Sequence, residues 1–409
     1  MIDLSKFAEQ CGQKPVAVFG LARSGLSTIK ALRAFGIEVL AWDDREEARN
    51  EAEALGATCT ELDQAVLQNC ATLILAPGVP LHFPAPHPVV KAARAADIEI
   101  ICDVELFSRY ASKDLKFVGI TGTNGKSTTT ALLEHVLKSC GISAVMGGNI
   151  GRAVFDLDVE NVKVAVLELS SYQLDLCPSF TPDIAVLLNI TPDHLDRHGS
   201  MENYIAAKNR IFREVDQIQI NMPDIDDRVC VCTNMKGDHN LQNATAALLV
   251  CEALGLAADQ VLEAIKTFPG LAHRQYLVRE IGGVLYVNDS KATNVESASK
   301  ALASYDDIFW IAGGQIHNDD LKPLEEHLHE IRHAYLIGET SEKLSRWLDN
   351  NQIENTICGT MKIALEKAHS DAQENKFGVV LLSPIYKSFD QFKSFEHRGD
   401  VFATLVESL

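Results

Sequence analysis

A chain of 409 residues with a formal charge of -19 is too long for a single core of ordinary size, and its surface as a whole repels polyanions, which argues against nucleic acid as a main partner. With 46% hydrophobic, 7% aromatic and 23% charged residues, the composition is that of a globular protein able to bury a sizeable core. No stretch approaches the roughly 20 apolar residues of a membrane span, and the start, Met1-Ile-Asp-Leu-Ser-Lys6, lacks a basic segment followed by an apolar run, so the expectation is a cytoplasmic protein with no membrane span.

The chain opens with a short apolar run, Val16–Phe19, a helical pattern near Ser24–Phe35 and a second run, Glu38–Trp42. Further strands are expected at Thr72–Ala76 and Glu99–Cys102. Such alternation predicts a parallel sheet covered by helices. Its first strand leads into Gly20-Leu-Ala-Arg-Ser-Gly25 and its second into Asp43-Asp44-Arg45. A glycine turn at a helix start suits a diphosphate, and an acidic group at the next strand end suits a ribose or uracil. The pattern turns polar over Tyr110–Lys116, which sets a first domain, 1–112.

A second block, 113–269, begins with Phe117-Val118-Gly119-Ile120 and continues through Val162–Leu169 and Asp183–Asn189, apolar runs suited to strands buried on both faces. Between the first run and the helical pattern Thr129–Lys138 lies Thr121-Gly-Thr-Asn-Gly-Lys-Ser-Thr128. Strand, glycine loop and helix form the context of a phosphate cradle. Backbone N–H groups of Gly122, Thr123, Asn124 and Gly125 would face phosphate oxygens, Lys126 would offset charge on the transferred group, and Ser127 and Thr128 would supply hydroxyls, Ser127 to Mg²⁺. The strict pattern wants its first glycine where Ile120 stands, so the general match is imperfect.

Glu168 ends the next strand, where an unpaired carboxylate is costly, and beside the loop it reads as a Mg²⁺ ligand rather than a satisfied structural Glu. His194 follows the strand after that. Alone it suits a core or capping role, but beside Glu168 it suits metal or phosphate. Lys208 lies in the helical stretch Met201–Phe212 with Tyr204 one turn earlier on the same face; its pattern is that of a solvated lysine. Helices near Asn240–Leu254 and Ala258–Phe268 and the breaker Pro269-Gly270 close the block. The last block, 270–409, starts with a hairpin around Gly282-Gly283 and continues with strands at Ile308–Ala312, Ala334–Ile337 and Gly378–Leu382. Ten cysteines, the neighbours Cys230 and Cys232 included, carry no zinc-like spacing, so they read as reduced thiols without a structural metal.

Taken together, Thr121–Thr128, Glu168, His194 and Lys208 resemble, in order and spacing, the Mur ligase family. The resemblance continues through His239-Asn240, Asn243, Ala272-His273-Arg274 and Asn288-Asp-Ser-Lys-Ala-Thr-Asn294. It implies an α/β protein of three domains: Rossmann-like at the N-terminus, a P-loop ATPase domain in the centre, and a Rossmann-like C-terminal domain. It implies ATP and two Mg²⁺, with Ser127 and Glu168 on one metal and His194 on the other, and a carbamylated Lys208 as a further metal-binding carboxylate. Asn240, Asn243, Arg274 and Asp289 would contact ATP, and Lys291 the reacting phosphate.

Within the family, the N-terminal glycine segment, Pro77-Gly-Val-Pro80, Gly148-Asn-Ile-Gly151 and the tail Phe389–Asp400 resemble the D-glutamate-adding members. That resemblance implies a UDP-sugar site at Ser24, Gly25, Asp43, Asp44, Arg45 and Asn149. It implies an amino-acid site at Thr293, His317, Lys387, Ser388 and Phe395, where Ser388 is expected to begin a helix whose N–H groups hold a carboxylate. The partners would be UDP-N-acetylmuramoyl-L-alanine and D-glutamate, and the protein a monomer. Two departures stand out. The segment between Lys208 and His239 is a few dozen residues short of the family pattern, and His317 and Ile385-Tyr386-Lys387 replace a lysine and small residues. They keep open a degenerate homologue that binds nucleotide but has altered specificity or little activity. A ligase for another amino acid fits the N-terminal segment and tail less well, and an NAD-dependent oxidoreductase leaves Lys126, Glu168 and His194 without a role.

Overall fold

The computed structural model describes residues 2–214, 216–229, 237–315 and 320–409, and among these three sheets are present. The first comprises β1 (Val16–Phe19), β2 (Val39–Trp42), β3 (Thr58–Cys59), β4 (Leu73–Leu75) and β5 (Ile100–Ile101). They are parallel in the order β3-β2-β1-β4-β5. The order reverses at β1 and β4, where doubly wound sheets open a crevice beyond their strand ends. Gly20–Gly25 leaves β1 at that crevice and leads into the helix Arg23–Ala34.

The second sheet comprises β6 (Lys116–Thr121), β7 (Ala144–Gly148), β8 (Val164–Glu168), β9 (Ile184–Leu187) and β10 (Ile218–Asn221). It is again parallel, in the order β10-β9-β6-β8-β7. Strands β8 and β9 are buried at every position, as their unbroken apolar runs require. β10 is the edge, and Ile218, Met222 and Ile225 in and beyond it are exposed. The two sheets belong to one compact unit, which extends to Lys266, and they share a continuous core.

Glu105 is a joint within that core. Its side chain is fully buried and accepts from Arg109 Nε at 2.7 Å, from the backbone N–H of Phe180 at 2.8 Å, and from the N–H and hydroxyl of Ser179. A buried carboxylate is tolerable only when so many donors replace water.

A second unit begins at Thr267. Its sheet comprises β11 (Tyr276–Ile281), β12 (Val284–Asn288), β13 (Ile308–Gly313), β14 (Ile331–Ile337), β15 (Asn355–Gly359) and β16 (Val379–Leu382). The order is β11-β12-β16-β13-β14-β15, with only the β11–β12 hairpin antiparallel. One apolar core lies on each face.

Three expectations need correction or qualification. Ser388 does not begin a helix: its carbonyl accepts from Gln391 and Phe392 in a turn, and the helix starts at Phe395 with Ser394 as its cap, accepting from His397 N–H. Lys208 is not solvated but 2% exposed. His317, Cys230 and Cys232 lie outside the described residues. The eight described cysteines are free thiols.

Candidate functional site

Thr121 ends β6, and the helix Lys126–Ser139 starts at Gly125 without a side-chain cap. Its first-turn N–H groups therefore point out of the helix end, where they suit an anion. Gly125 has a φ of +82°, and a Cβ there would run into Asn243 Oδ1; no other residue fits. Asn243 is buried, accepts from Thr129 Oγ1 at 3.2 Å and donates to Asn240 Oδ1 at 3.3 Å. It acts as the floor of the loop.

The front of the loop is stitched to the segment after β9. Thr123 N–H donates to Asn189 O, Asn124 N–H to Asn189 Oδ1 at 2.9 Å, and Thr191 N–H to Thr123 Oγ1 at 3.0 Å. Lys126 Nζ folds back on the carbonyls of Gly122 and Thr123, both at 2.8 Å, and Ser127 and Thr128 are buried at the helix start.

Glu168 closes β8 beside this loop and is 2% exposed. Oε1 accepts from Asn149 Nδ2 at 2.7 Å, while Oε2 is buried without a partner. Such an orphaned carboxylate oxygen is expensive unless a cation meets it. Mg²⁺ takes one or two protein oxygens and completes its octahedron with water and phosphate, and Glu168 with the Ser127 hydroxyl matches that donor set. Among the described residues no cluster of three or more His, Cys, Asp or Glu side chains is gathered for a metal.

Lys208 Nζ donates to Gly122 O at 2.7 Å and sits 4.7 Å from the centre of the Tyr204 ring. Burial, and then the nearby Lys126 charge, push its pKa down to about 7. Tyr204 is itself buried and its hydroxyl lies 3.0 Å from Thr123 Oγ1. His194 enters a four-residue helix, Leu195–His198, with a left-handed φ of +54°. Its ring is half exposed and contacts Asp193 at 3.5 Å and the Tyr172 ring at 5.1 Å between centres.

At the first sheet, Asp43 is 8% exposed and turned inward. It accepts from Leu21 N–H at 2.7 Å and Arg45 N–H at 2.9 Å, and pairs with the Arg45 guanidinium at 3.1 Å. Burial works against its charge, but those donors hold its pKa below the ordinary carboxylate value. Asp43 therefore braces the glycine turn, while Asp44 and most of the Arg45 side chain are exposed. Ser24 is half-buried, while Gly25 packs so closely on the Gly20 carbonyl that a Cβ would clash with it.

In the second unit Asp289 is buried, accepts from Ser383 Oγ at 3.0 Å and Gln275 N–H at 3.2 Å, and has its pKa pushed up to about 7 by burial. Lys291 Nζ lies 5.6 Å from the centre of the Phe395 ring, Arg274 and Thr293 are half-buried, Ser388 is buried and Lys387 exposed. Arg398 escaped notice in the sequence. Fully buried, it donates to Ser290 Oγ and O at 2.9 Å and to Tyr386 O at 3.0 Å, tying the Asn288–Asn294 segment to the one that carries Ser388.

Residues 120–230 match the model of the Mur ligase middle domain, and residues 14–102 that of the Mur ligase MurD-like N-terminal domain. A curated UDP-N-acetylmuramoylalanine--D-glutamate ligase of Caulobacter vibrioides is 42% identical over 97% of this chain and 96% of its own. The chain belongs to the Mur ligase family. The same-named protein of Nitrobacter winogradskyi is 41% identical over the whole chain and 98% of its own length. That alignment runs over 464 positions against 409 residues here, so the relative carries a few dozen residues that this chain lacks. Among solved structures, UDP-N-acetylmuramate-alanine ligase from Thermotoga maritima matches with a TM-score of 0.59 at 16% identity over 97% of this chain and 99% of that one. MurF from Acinetobacter baumannii matches at 0.58 and 17% over 96% and 93%. These two share the fold, an α/β architecture with N-terminal, middle and C-terminal domains.

Proposed function

We propose that this chain is an ATP-dependent ligase that joins D-glutamate to UDP-N-acetylmuramoyl-L-alanine in peptidoglycan precursor synthesis, acting as a cytoplasmic monomer. The observation that carries the reading is the phosphate loop with the orphaned Glu168 oxygen beside it, in a chain about 41% identical along its length to ligases of that name. No helix among the described residues is long and apolar enough to cross a membrane. Residues 1–112, 113–269 and 270–409 are taken as the acceptor, nucleotide and amino-acid domains.

In this reading the acceptor's carboxylate oxygen attacks the γ-phosphorus of ATP, ADP leaves, and the amine of D-glutamate then displaces phosphate from the acyl carbon. Two anions must meet in the first step, so positive charge has to be fixed where they approach. Mg²⁺, when bound, supplies part of that charge. Ser127 and Glu168 would hold one ion; His194 and a carbamylated Lys208 would hold a second. Gly122–Thr128 cradle the phosphates, and Lys126 turns from the Gly122 and Thr123 carbonyls to the transferred group. Asn240, Asn243, Arg274 and Asp289 serve the nucleotide, with Asn243 acting through Gly125, and Lys291 faces the reacting phosphate. Ser24, Gly25, Asp44 and Arg45 take the UDP group with Asp43 as their brace, and Asn149 joins the acceptor side to Glu168. Thr293, Ser388, Phe395, Lys387 and His317 form the amino-acid site.

Hydroxylamine trapping tests the first step. With ATP and acceptor but no amino acid, the acyl phosphate yields a hydroxamate, and Lys126→Ala should lose it while keeping the fold. Hydroxamate formed at equal rates by both proteins would remove the phosphate-loop assignment.

A further inference from the structure

We propose that Arg197 is a positioning residue that fixes the His194 imidazole from the acceptor side. The proposal rests on the reading of His194 as a cation or phosphate ligand. The helix Leu195–His198 has four residues, entered at His194 with left-handed backbone and left at Gly199 with φ of +79°. A helix that short has no stability of its own, since it spends the cost of nucleation and gains almost no propagation. Its placement must come from contacts outside itself.

Arg197 supplies two of them. Its Nη1 donates to Gly78 O at 2.7 Å, and its guanidinium lies over the Tyr172 ring at 4.8 Å. The Tyr172 ring in turn meets His194, and stacks on His198 at 5.4 Å and 13°. His198 is held by Ser171, its Nε2 lying 2.9 Å from Ser171 Oγ. The loop that receives Arg197 also reaches the far end of the short helix, where Phe83 lies against Gly199. Between that loop and the helices runs a cavity of about 250 Å³, lined on one side by Pro77, Val79 and Leu81 and on the other by Tyr172 and Arg197. At this cavity the guanidinium bridges the two, bonded to Gly78 O and lying over the Tyr172 ring.

Stability alone would not select arginine for this position. Its Nε is buried without a partner, a loss that an apolar side chain would avoid. What arginine offers is a planar fork that stacks with one face while it donates at a fixed angle, which lysine cannot reproduce. The loop thereby orients the Tyr172–His194 pair, and a change in loop position on acceptor binding is passed to the imidazole.

The test compares Arg197→Ala and Arg197→Lys with the parent and with His194→Ala. The readouts are the ¹⁵N resonance of the His194 ring without ligands, Mn²⁺ binding by paramagnetic resonance, and the acceptor KM apart from kcat. Arg197→Ala should move the His194 resonance, and weaken Mn²⁺ and acceptor binding about ten-fold, the worth of a charged hydrogen bond. ATP affinity should stay unchanged. Arg197→Lys, which keeps the charge, should retain the fold but not restore the resonance. A merely structural role would lower kcat through loss of folded protein and leave the resonance and both affinities in place; that result overturns the proposal. Unchanged Mn²⁺ binding in His194→Ala would instead refute the ligand role of His194, while the resonance in Arg197→Ala still decides what Arg197 does.

Discussion

Replacing Lys208 with methionine separates its chemistry from its contribution to the fold. The amine is 2% exposed and its pKa is pushed down to about 7. At about pH 8 such an amine is roughly 90% neutral, against about 0.3% for an ordinary lysine, so roughly 300-fold more of it is available to carbon dioxide. The same displacement measures a penalty. The unfolded amine keeps its proton up to the ordinary lysine value near 10.5, but the folded amine only up to about 7. Charged Lys208 therefore costs the unmodified fold about 5 kcal/mol below about pH 7, and the cost shrinks as pH rises toward the unfolded value. Methionine fills similar space, and Gly122 O keeps its bond from Lys126. Lys208→Met should raise stability in urea by about 2–4 kcal/mol at about pH 6, less at about pH 9, in metal-free and carbonate-free buffer, while turnover disappears. In the parent, ¹³C-bicarbonate should yield a carbamate signal that Lys208→Met lacks. A methionine variant that is less stable at acidic pH, or one that keeps turnover, would refute this account.

Three further outcomes follow from particular contacts. Gly125→Ala puts a Cβ into Asn243 Oδ1 at a backbone angle that alanine resists, so it should cost about 1–3 kcal/mol and abolish ATP binding by calorimetry, whereas Gly36→Ala, with open space around it, should leave ATP binding intact. Glu105→Ala leaves the donors of Ser179 and Phe180 unpaired, while Arg109 keeps its pair with Glu99, so chemical denaturation should show a loss of about 2–4 kcal/mol, with acceptor and ATP affinities intact in the folded fraction. Lys387→Ala should raise the D-glutamate KM about ten-fold if that exposed cation meets a substrate carboxylate, as a charged hydrogen bond is worth about that much. A KM that instead climbs through the histidine range of pH in both proteins would assign the charge to His317.

The strand, glycine loop and helix around Gly122–Thr128 were legible because their parts are local: an apolar strand, a glycine turn and a helix start follow one another within a few residues. The same holds for the β11–β12 hairpin at Gly282-Gly283. What escaped depends on partners far along the chain. Nothing in the helix around Lys208 warns of burial, because the carbonyl that holds it belongs to Gly122, 86 residues earlier. The burial of Glu105 and Arg398 likewise rests on partners, Ser179 and Phe180 for one and Ser290 for the other, that lie far along the chain. The two-residue strands β3 and β5 are too short to impose a period. The position of Asp43 at a strand end was visible in the sequence, whereas its bonds to Leu21 and Arg45 were not. Ser388 was mistaken for a helix start because a serine after a strand looks like a cap; the real cap, Ser394, is distinguished by the turn that precedes it.

The central claim is amide formation with D-glutamate by a chain a few dozen residues shorter than its relatives. Its most direct test is phosphate release from ATP, with product mass, in the presence of UDP-N-acetylmuramoyl-L-alanine and each of a panel of D- and L-amino acids. Release should require both acceptor and D-glutamate, give a product heavier by one glutamyl residue, and vanish in Glu168→Gln. Binding of ATP and acceptor with no release for any amino acid, or release that prefers another amino acid, would contradict it.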